Sequence, residues 1–196
     1  MSEKKLTVSK ESTYTLRSNK CTFIAYLFPI AHVAEFKIQL NVIKKEHVKA
    51  SHFCFAYQCG EPLSTRANDD GEPSGSAGLP ILCQLKSKQL IHVGCIVVRY
   101  YGGTKLGIPG LISAYKNACL GAINANECTP YIEFLRIQVQ GTYPSLMLFL
   151  SLATQQGWNA TLNTVQEEHV IQIQIEQEQK QGVLSKISLF SDLTWS

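Results

Sequence analysis

The sequence predicts an α+β protein built as two units, and three observations lead there. Apolar residues alternate at strand spacing in some segments and recur at helical spacing in others. Charge divides along the chain: residues 1–128 hold 15 Lys and Arg against 9 Asp and Glu, whereas residues 129–196 hold 3 against 6. Between the halves, the stretch Asn124-Ala125-Asn126-Glu127-Cys128-Thr129-Pro130 closes a helical pattern with a proline that cannot continue it. The expected units are 1–128 and 134–196.

In the basic front half, Thr13 to Ile30 reads as one or two strands with Phe23 to Phe28 as the buried part. His32 to Lys49 keeps Val33, Phe36, Leu40 and Ile43 at three-to-four spacing and predicts a helix, with Lys37, Lys44, Lys45 and Lys49 off its apolar stripe. A strand at Ser51–Gln58, a turn-rich stretch at Gly60–Gly78 and a strand at Ile91–Tyr101 follow. The glycine-rich segment Gly102–Gly110 then opens a helix over about Leu111–Asn124.

In the acidic back half, Leu135, Ile137 and Val139 alternate with Arg136, Gln138 and Gln140, giving a strand with one apolar face. A helix runs from about Leu146 to Gln156 with Pro144 at its start. Trp158–Gln166 reads as a strand, Glu167-Glu168 as a turn and His169–Gln177 as a second strand. A helix over about Gln179–Phe190 follows, and Asp192–Ser196 reads as a short edge strand. The order βαββα, with a closing β, matches the ferredoxin-like plan of an antiparallel sheet with both helices on one face. The polar strand sides bearing Gln138, Gln140, Gln172 and Gln174 suit an open sheet surface that could meet a protein partner, and equally an unengaged solvated face.

With 45% apolar and 17% charged residues, the chain is neither disordered nor low-complexity. No run of about 18 apolar residues is present, so no membrane span is expected. Met1-Ser2-Glu3-Lys4-Lys5 leads into polar sequence without an apolar signal core. The seven cysteines, most of them in apolar runs, read as reduced core residues. A cytoplasmic location is the expectation.

Three constellations could carry chemistry. The first, Asn68 to Gly78, brings Asp69, Asp70 and Glu72 into one stretch; its carboxylates suit a divalent cation, and its Asp-Gly and Glu-Pro pairs equally suit an ordinary turn. In the second, Arg99-Tyr100-Tyr101-Gly102-Gly103-Thr104-Lys105-Leu106-Gly107-Ile108-Pro109-Gly110 leads from a strand to a helix. Its glycines let backbone amides approach an anion, Arg99 and Lys105 supply charge, and Tyr100 or Tyr101 could stack on a base. The ending required of a phosphate-binding Walker loop is missing. The third, His52 with Cys54, suits nucleophilic or zinc chemistry but shows no evident third partner.

Asp69-Asp70-Gly71-Glu72-Pro73-Ser74-Gly75-Ser76-Ala77-Gly78-Leu79-Pro80, followed by Val97-Val98-Arg99-Tyr100-Tyr101-Gly102-Gly103-Thr104-Lys105-Leu106-Gly107, resembles the signature of the IMPACT/YigZ family. His52-x-Cys54-x-Ala56-Tyr57 and the Gly110-Leu111 to Ala114-Tyr115 helix start fit the same family. Motif coverage runs over roughly residues 13–125. Ile108-Pro109-Gly110 departs from it, standing where many members have smaller residues. The back half resembles the smaller C-terminal domain of bacterial members. The resemblance implies a front domain similar to the second domain of a small-subunit ribosomal protein and to domain IV of elongation factor G. It implies a back domain similar to domain V of that factor, and a link to translational control.

The resulting expectation is a protein that binds RNA or the ribosome in the regulation of translation, without a cofactor or metal and without catalysis. Arg99, Tyr100, Tyr101, Gly102, Gly103, Lys105, Gly107 and Lys116 are the candidate nucleic-acid or anion contacts. Two alternatives stand beside it: a metal-assisted, peptidase-like hydrolase using His52, Asp69, Asp70 and Glu72, and a protein-interaction module using the back-half sheet.

Overall fold

In the computed structural model, which describes residues 5–165 and 168–196, the chain is α+β and divides into two compact units, Met1–Tyr131 and Ile132–Ser196. The first unit is organised by a five-stranded antiparallel sheet of β2 (Ser12–Ser18), β3 (Cys21–Pro29), β6 (Val93–Tyr100), β4 (His52–Cys59) and β5 (Ser64–Asn68), in that spatial order. Helix α1 (Val33–Glu46) covers one face; α2 (Gly78–Ser87) and α3 (Gly107–Asn124) cover the other.

Strand alternation builds both cores. Phe23, Ala25 and Leu27 of β3, with Cys95 and Val97 of β6, pack against Ile81, Leu85, Tyr115 and Ala118 from α2 and α3. Phe28, Phe55, Tyr57, Ile96 and Val98 point the opposite way, against Phe36 and Ile43 of α1. Being buried on both faces, β6 reads as a continuous apolar run. The hairpin between β2 and β3 turns at Asn19 and Lys20, both at positive φ (46° and 64°), the backbone that a two-residue hairpin requires.

The stretch expected to be only turns holds β5, and α2 follows at Gly78, a helix the sequence pattern did not announce. Helix α3 begins at Gly107, four residues earlier than expected, so Ile108-Pro109-Gly110 forms its first turn. Proline costs little there, because first-turn amides have no intrahelical acceptor. A short strand β1 (Leu6–Val8) pairs with β7 (Cys128–Pro130), which ties residues 128–130 into the first unit.

The second unit runs β8 (Phe134–Gln140), α4 (Tyr143–Gln155), β9 (Asn159–Val165), β10 (Glu168–Glu176), a 3₁₀ turn at Gln177–Gln179, α5 (Lys180–Ile187) and β11 (Thr194–Trp195). The sheet order is β11-β8-β10-β9, with every pairing antiparallel. Ile137, Val139, Ile171 and Ile173 bury against Leu146 and Phe149 of α4 and Val183 and Ile187 of α5. On the other side of the strands, Gln140, Gln172 and Gln174 are exposed and Gln138 is half-buried. Glu168 lies within β10; Gln166 and Glu167, read as strand end and turn, lie outside the described residues.

Candidate functional site

The register of the front sheet gathers the candidate residues at one end. Arg99, near the end of β6, stands opposite Phe23 on one side and His52 on the other. Alternation turns Arg99, His52 and Cys54 toward the face carrying α2 and α3. Loop 69–77 between β5 and α2 brings Glu72 onto this group, and α3 brings Tyr115.

Glu72 is the hub. Its Oε1 accepts from Arg99 Nη1 and from the Tyr115 hydroxyl (2.7 Å), and lies 4.0 Å from His52 Nε2. Glu72 and Arg99 are buried, at 9% and 5% exposure, and their opposite charges make that burial tolerable. Burial works against the guanidinium's charge, but hydrogen bonds to Cys21 and Glu72, with the Glu72 charge, more than restore it, so its pKa is raised. Arg99 therefore presents no free guanidinium to a phosphate, contrary to the role its position in the sequence suggests. It acts instead as a strut: Nη2 donates to Cys21 Sγ (3.6 Å), whose thiol donates to the Thr104 carbonyl (3.8 Å) in the glycine-rich connection.

The carboxylates beside Glu72 are engaged by backbone. Asp69 accepts from the amides of Gly75 (2.9 Å), Ala77 (3.0 Å) and Gly78 (2.8 Å), capping the start of α2 from a distance along the chain. Burial pushes its pKa up, and the Gly75, Gly78 and Ala77 amides outweigh that and hold it below the ordinary aspartate value. Asp70 Oδ2 accepts from the Phe53 amide (2.6 Å), while its carbonyl accepts from His52 Nδ1 (2.8 Å), which makes Nδ1 a protonated nitrogen. A Cβ at Gly78 would sit 2.5 Å from the Asn68 amide nitrogen, so the loop closes this tightly only with glycine there.

The third partner that His52 and Cys54 lacked in the sequence is Tyr115 with Glu72. Cys54 Sγ lies 3.3 Å from the Tyr115 hydroxyl and 3.0 Å from the Asp69 carbonyl. Burial, with the nearby carboxylates adding to it, drives the Cys54 pKa far above the ordinary thiol range, and burial likewise raises that of Tyr115. This thiol is held neutral, the opposite of what a nucleophile needs. Among the described residues, no group of three or more His, Cys, Asp or Glu is arranged to hold a metal ion.

The glycine-rich connection is different in kind. A Cβ at Gly102 would lie 1.8 Å from the Lys20 carbonyl oxygen, so glycine is what lets this loop seat against the β2–β3 turn. Lys20 and Lys105 are both exposed here, Tyr101 is 48% exposed, and Gly103 and Gly107 adopt positive φ (86° and 68°). Among the described residues, no side chain hydrogen-bonds to the N-cap of helix α3, and its first turn holds no acidic residue. Lys116 is exposed further along α3. Tyr100 faces the other side of the sheet, where its hydroxyl meets His47 Nδ1 (2.8 Å), leaving Tyr101 as the aromatic ring at the loop. Lys20 escaped the sequence reading because it is far along the chain from the motif it serves, and Tyr115 entered it only as part of the helix start that fits the family. The only local signal was the tight turn at Asn19-Lys20.

A family model described as the Impact N-terminal domain matches residues 19–123, which contain the whole network and the glycine-rich connection. The chain belongs to the IMPACT family. It is 40% identical over 119 residues to the IMPACT family member YvyE of Bacillus subtilis, a match covering 60% of this chain and 55% of that one. It is 34% identical over 156 residues to an IMPACT family member of Haemophilus influenzae, covering 74% of this chain and 76% of the relative. The matched region thus spans between about half and three quarters of these relatives' lengths. A solved structure, described as the crystal structure of a hypothetical protein, is similar along the whole chain, with a TM-score of 0.75, 26% identity and coverage of 100% and 97%. No described helix is long and apolar enough to cross a membrane.

Proposed function

We propose that this IMPACT family chain binds RNA or the ribosome in the regulation of translation, through the open start of α3 and the glycine-rich connection before it. The observation that carries this reading is a helix start that, among the described residues, no side chain caps, flanked by Lys20 and Lys105 and the exposed ring of Tyr101. Charge supports it, since the basic residues of the chain concentrate in residues 1–128. The resemblance supports it as well: the front unit is read as similar to a small-subunit ribosomal protein domain and to domain IV of elongation factor G. The back unit, with its βαββαβ order, is read as ferredoxin-like and similar to domain V of that factor. Arg99 and Tyr100 become positioning residues in this reading, whereas Tyr101, Lys105 and Lys116 remain contacts, with Lys20 added. A cytoplasmic location goes with it.

The hydrolase reading draws no support from this geometry. Asp69, Asp70 and Glu72 are committed to amides, Arg99 and Tyr115, and Cys54 is held as a neutral thiol. The test is fluorescence anisotropy with a labelled single-stranded RNA across a salt series. Each phosphate contact should contribute about −0.7 to the log–log salt slope. Lys105→Glu combined with Lys116→Glu should weaken binding and flatten the slope by one to two contacts. Unchanged affinity and slope would contradict the assignment.

A further inference from the structure

The buried guanidinium of Arg99 lies against two aromatic rings. Its Cζ is 5.5 Å from the centroid of Phe23 and 5.5 Å from that of Tyr101. Phe23 is fully buried and meets Tyr115 edge-on at 5.1 Å, whereas Tyr101 is 48% exposed. One face of the Tyr101 ring therefore rests on the guanidinium, and the exposed part of the ring faces solvent. Glu72 and Cys21 take Nη1 and Nη2. The buried Nε has no hydrogen-bond partner among the described residues, which leaves the electron-rich ring faces to offset its lost hydration. The backbone carrying the ring is pinned on both sides. The Tyr101 amide donates to Ser51 Oγ (3.3 Å), and Gly102 seats against the Lys20 carbonyl more closely than any side chain would allow. A ring held in this way loses little freedom when a ligand stacks on it.

Charge and shape discriminate among occupants of the open face. A lysine or arginine from a protein partner would sit among exposed Lys20 and Lys105, over a ring on which a guanidinium already draws from behind. A carboxylate would meet the negative face of the ring. A nucleotide offers a flat, neutral surface to the ring and a phosphate to the lysines. Inside a duplex, both faces of a base are covered by its neighbours, so only an unpaired base can be taken. We propose that Tyr101, held in place by Arg99 as a positioning residue, is a stacking platform for one unpaired base, so that the site takes single-stranded RNA in preference to duplex. The proposal rests on the RNA reading and specifies which part of the RNA the ring engages.

The test is anisotropy over a salt series with the full chain and three probes: a labelled single-stranded RNA, a long duplex of the same sequence, and inorganic polyphosphate, which carries charge without bases. The single strand should bind more tightly than the duplex, although the duplex has the denser charge. Tyr101→Ala should weaken single-strand binding by about fivefold to a hundredfold at every salt concentration with the salt slope unchanged, and Tyr101→Phe should recover most of that loss. Glu72→Leu with Arg99→Met should also weaken binding without changing the slope, and should add little once Tyr101 is alanine. A phosphate contact from Arg99 would instead lower the slope by about 0.7. Tyr101 is exposed, so its variants and the duplex comparison decide the proposal even where the Glu72/Arg99 pair fails to fold. Equal or tighter duplex binding, a Tyr101→Ala chain that binds like wild type, or an equal loss of polyphosphate binding in that variant would overturn the platform. Additive losses from the Glu72/Arg99 pair and Tyr101→Ala would overturn the role of Arg99. Single-strand binding that falls in Lys105→Glu with Lys116→Glu but not in Tyr101→Ala would overturn this proposal and leave the RNA reading standing, whereas no RNA binding at low salt would overturn both.

Discussion

Two connections in the first unit solve the same problem in opposite ways. Both lead from a strand to a helix beside the Arg99 end of β6. Loop 69–77 ends in α2, and its own Asp69 fills that helix start by accepting from Gly75, Ala77 and Gly78. The connection from Tyr101 to Leu106 ends in α3, whose start no side chain caps among the described residues and which lies among lysines. The difference teaches that an acidic turn can be more thoroughly occupied than a glycine loop. The first carries charge and commits it to the fold, and the second leads to a helix start that, among the described residues, no side chain caps.

The largest effect should come from breaking the hub between the two. Glu72→Gln strands the buried Arg99 charge and should cost about 3–5 kcal/mol in chemical denaturation. The pair Glu72→Leu with Arg99→Met should recover most of that loss, because no unpaired charge remains. A double variant as unstable as the single one would mean that packing, not charge pairing, sets the cost.

Asp69→Ala comes next. It removes the acceptor for three amides and should cost about 1–3 kcal/mol. The pH dependence follows from the lowered Asp69 pKa. A carboxyl depressed in the folded state adds stability that is fully present above its unfolded value of about 3.9 and is lost as pH falls through the lower folded value. Asp69→Asn should therefore flatten the acid limb of the stability profile, and an unchanged limb would contradict the cap.

Gly102→Ala should be comparable or smaller, about 1–3 kcal/mol, since its Cβ meets the Lys20 carbonyl and forces the loop off the hairpin turn. RNA affinity should fall with it. Smallest for stability is Lys20→Glu with Lys105→Glu: within about 0.5 kcal/mol of wild type, as expected for exposed residues, yet with a clear loss of RNA affinity in anisotropy. A variant destabilised without losing affinity would invert the comparison.

Much of this architecture is readable from side-chain pattern. The strands bearing Phe23 to Phe28 and Ile171 to Ile175 declare themselves by alternation, and α1 by the spacing of Phe36, Leu40 and Ile43. Helix α2 does not, because Gly78, Pro80, Ile81, Leu82 and Leu85 are all buried, which erases the two-sided pattern of a surface helix. Strand β5 is an exposed, polar edge, Ser64 to Asn68, and has no apolar side to show. At the site, the segments that the motifs single out converge at one end of the sheet, but Arg99 is buried rather than open to a phosphate. A lone arginine beside glycines reads as a phosphate contact, and only the fold reveals that Glu72, 27 residues away in sequence, meets it inside.

The central claim is that the α3 start is open and the α2 start is closed. Its most direct test is an amide chemical-shift titration of the full chain with single-stranded RNA, comparing residues 102–108 with Gly75, Ala77 and Gly78. The account predicts saturable shifts at the first set and none at the second. Shifts at Gly75, Ala77 and Gly78 with residues 102–108 unmoved would contradict it.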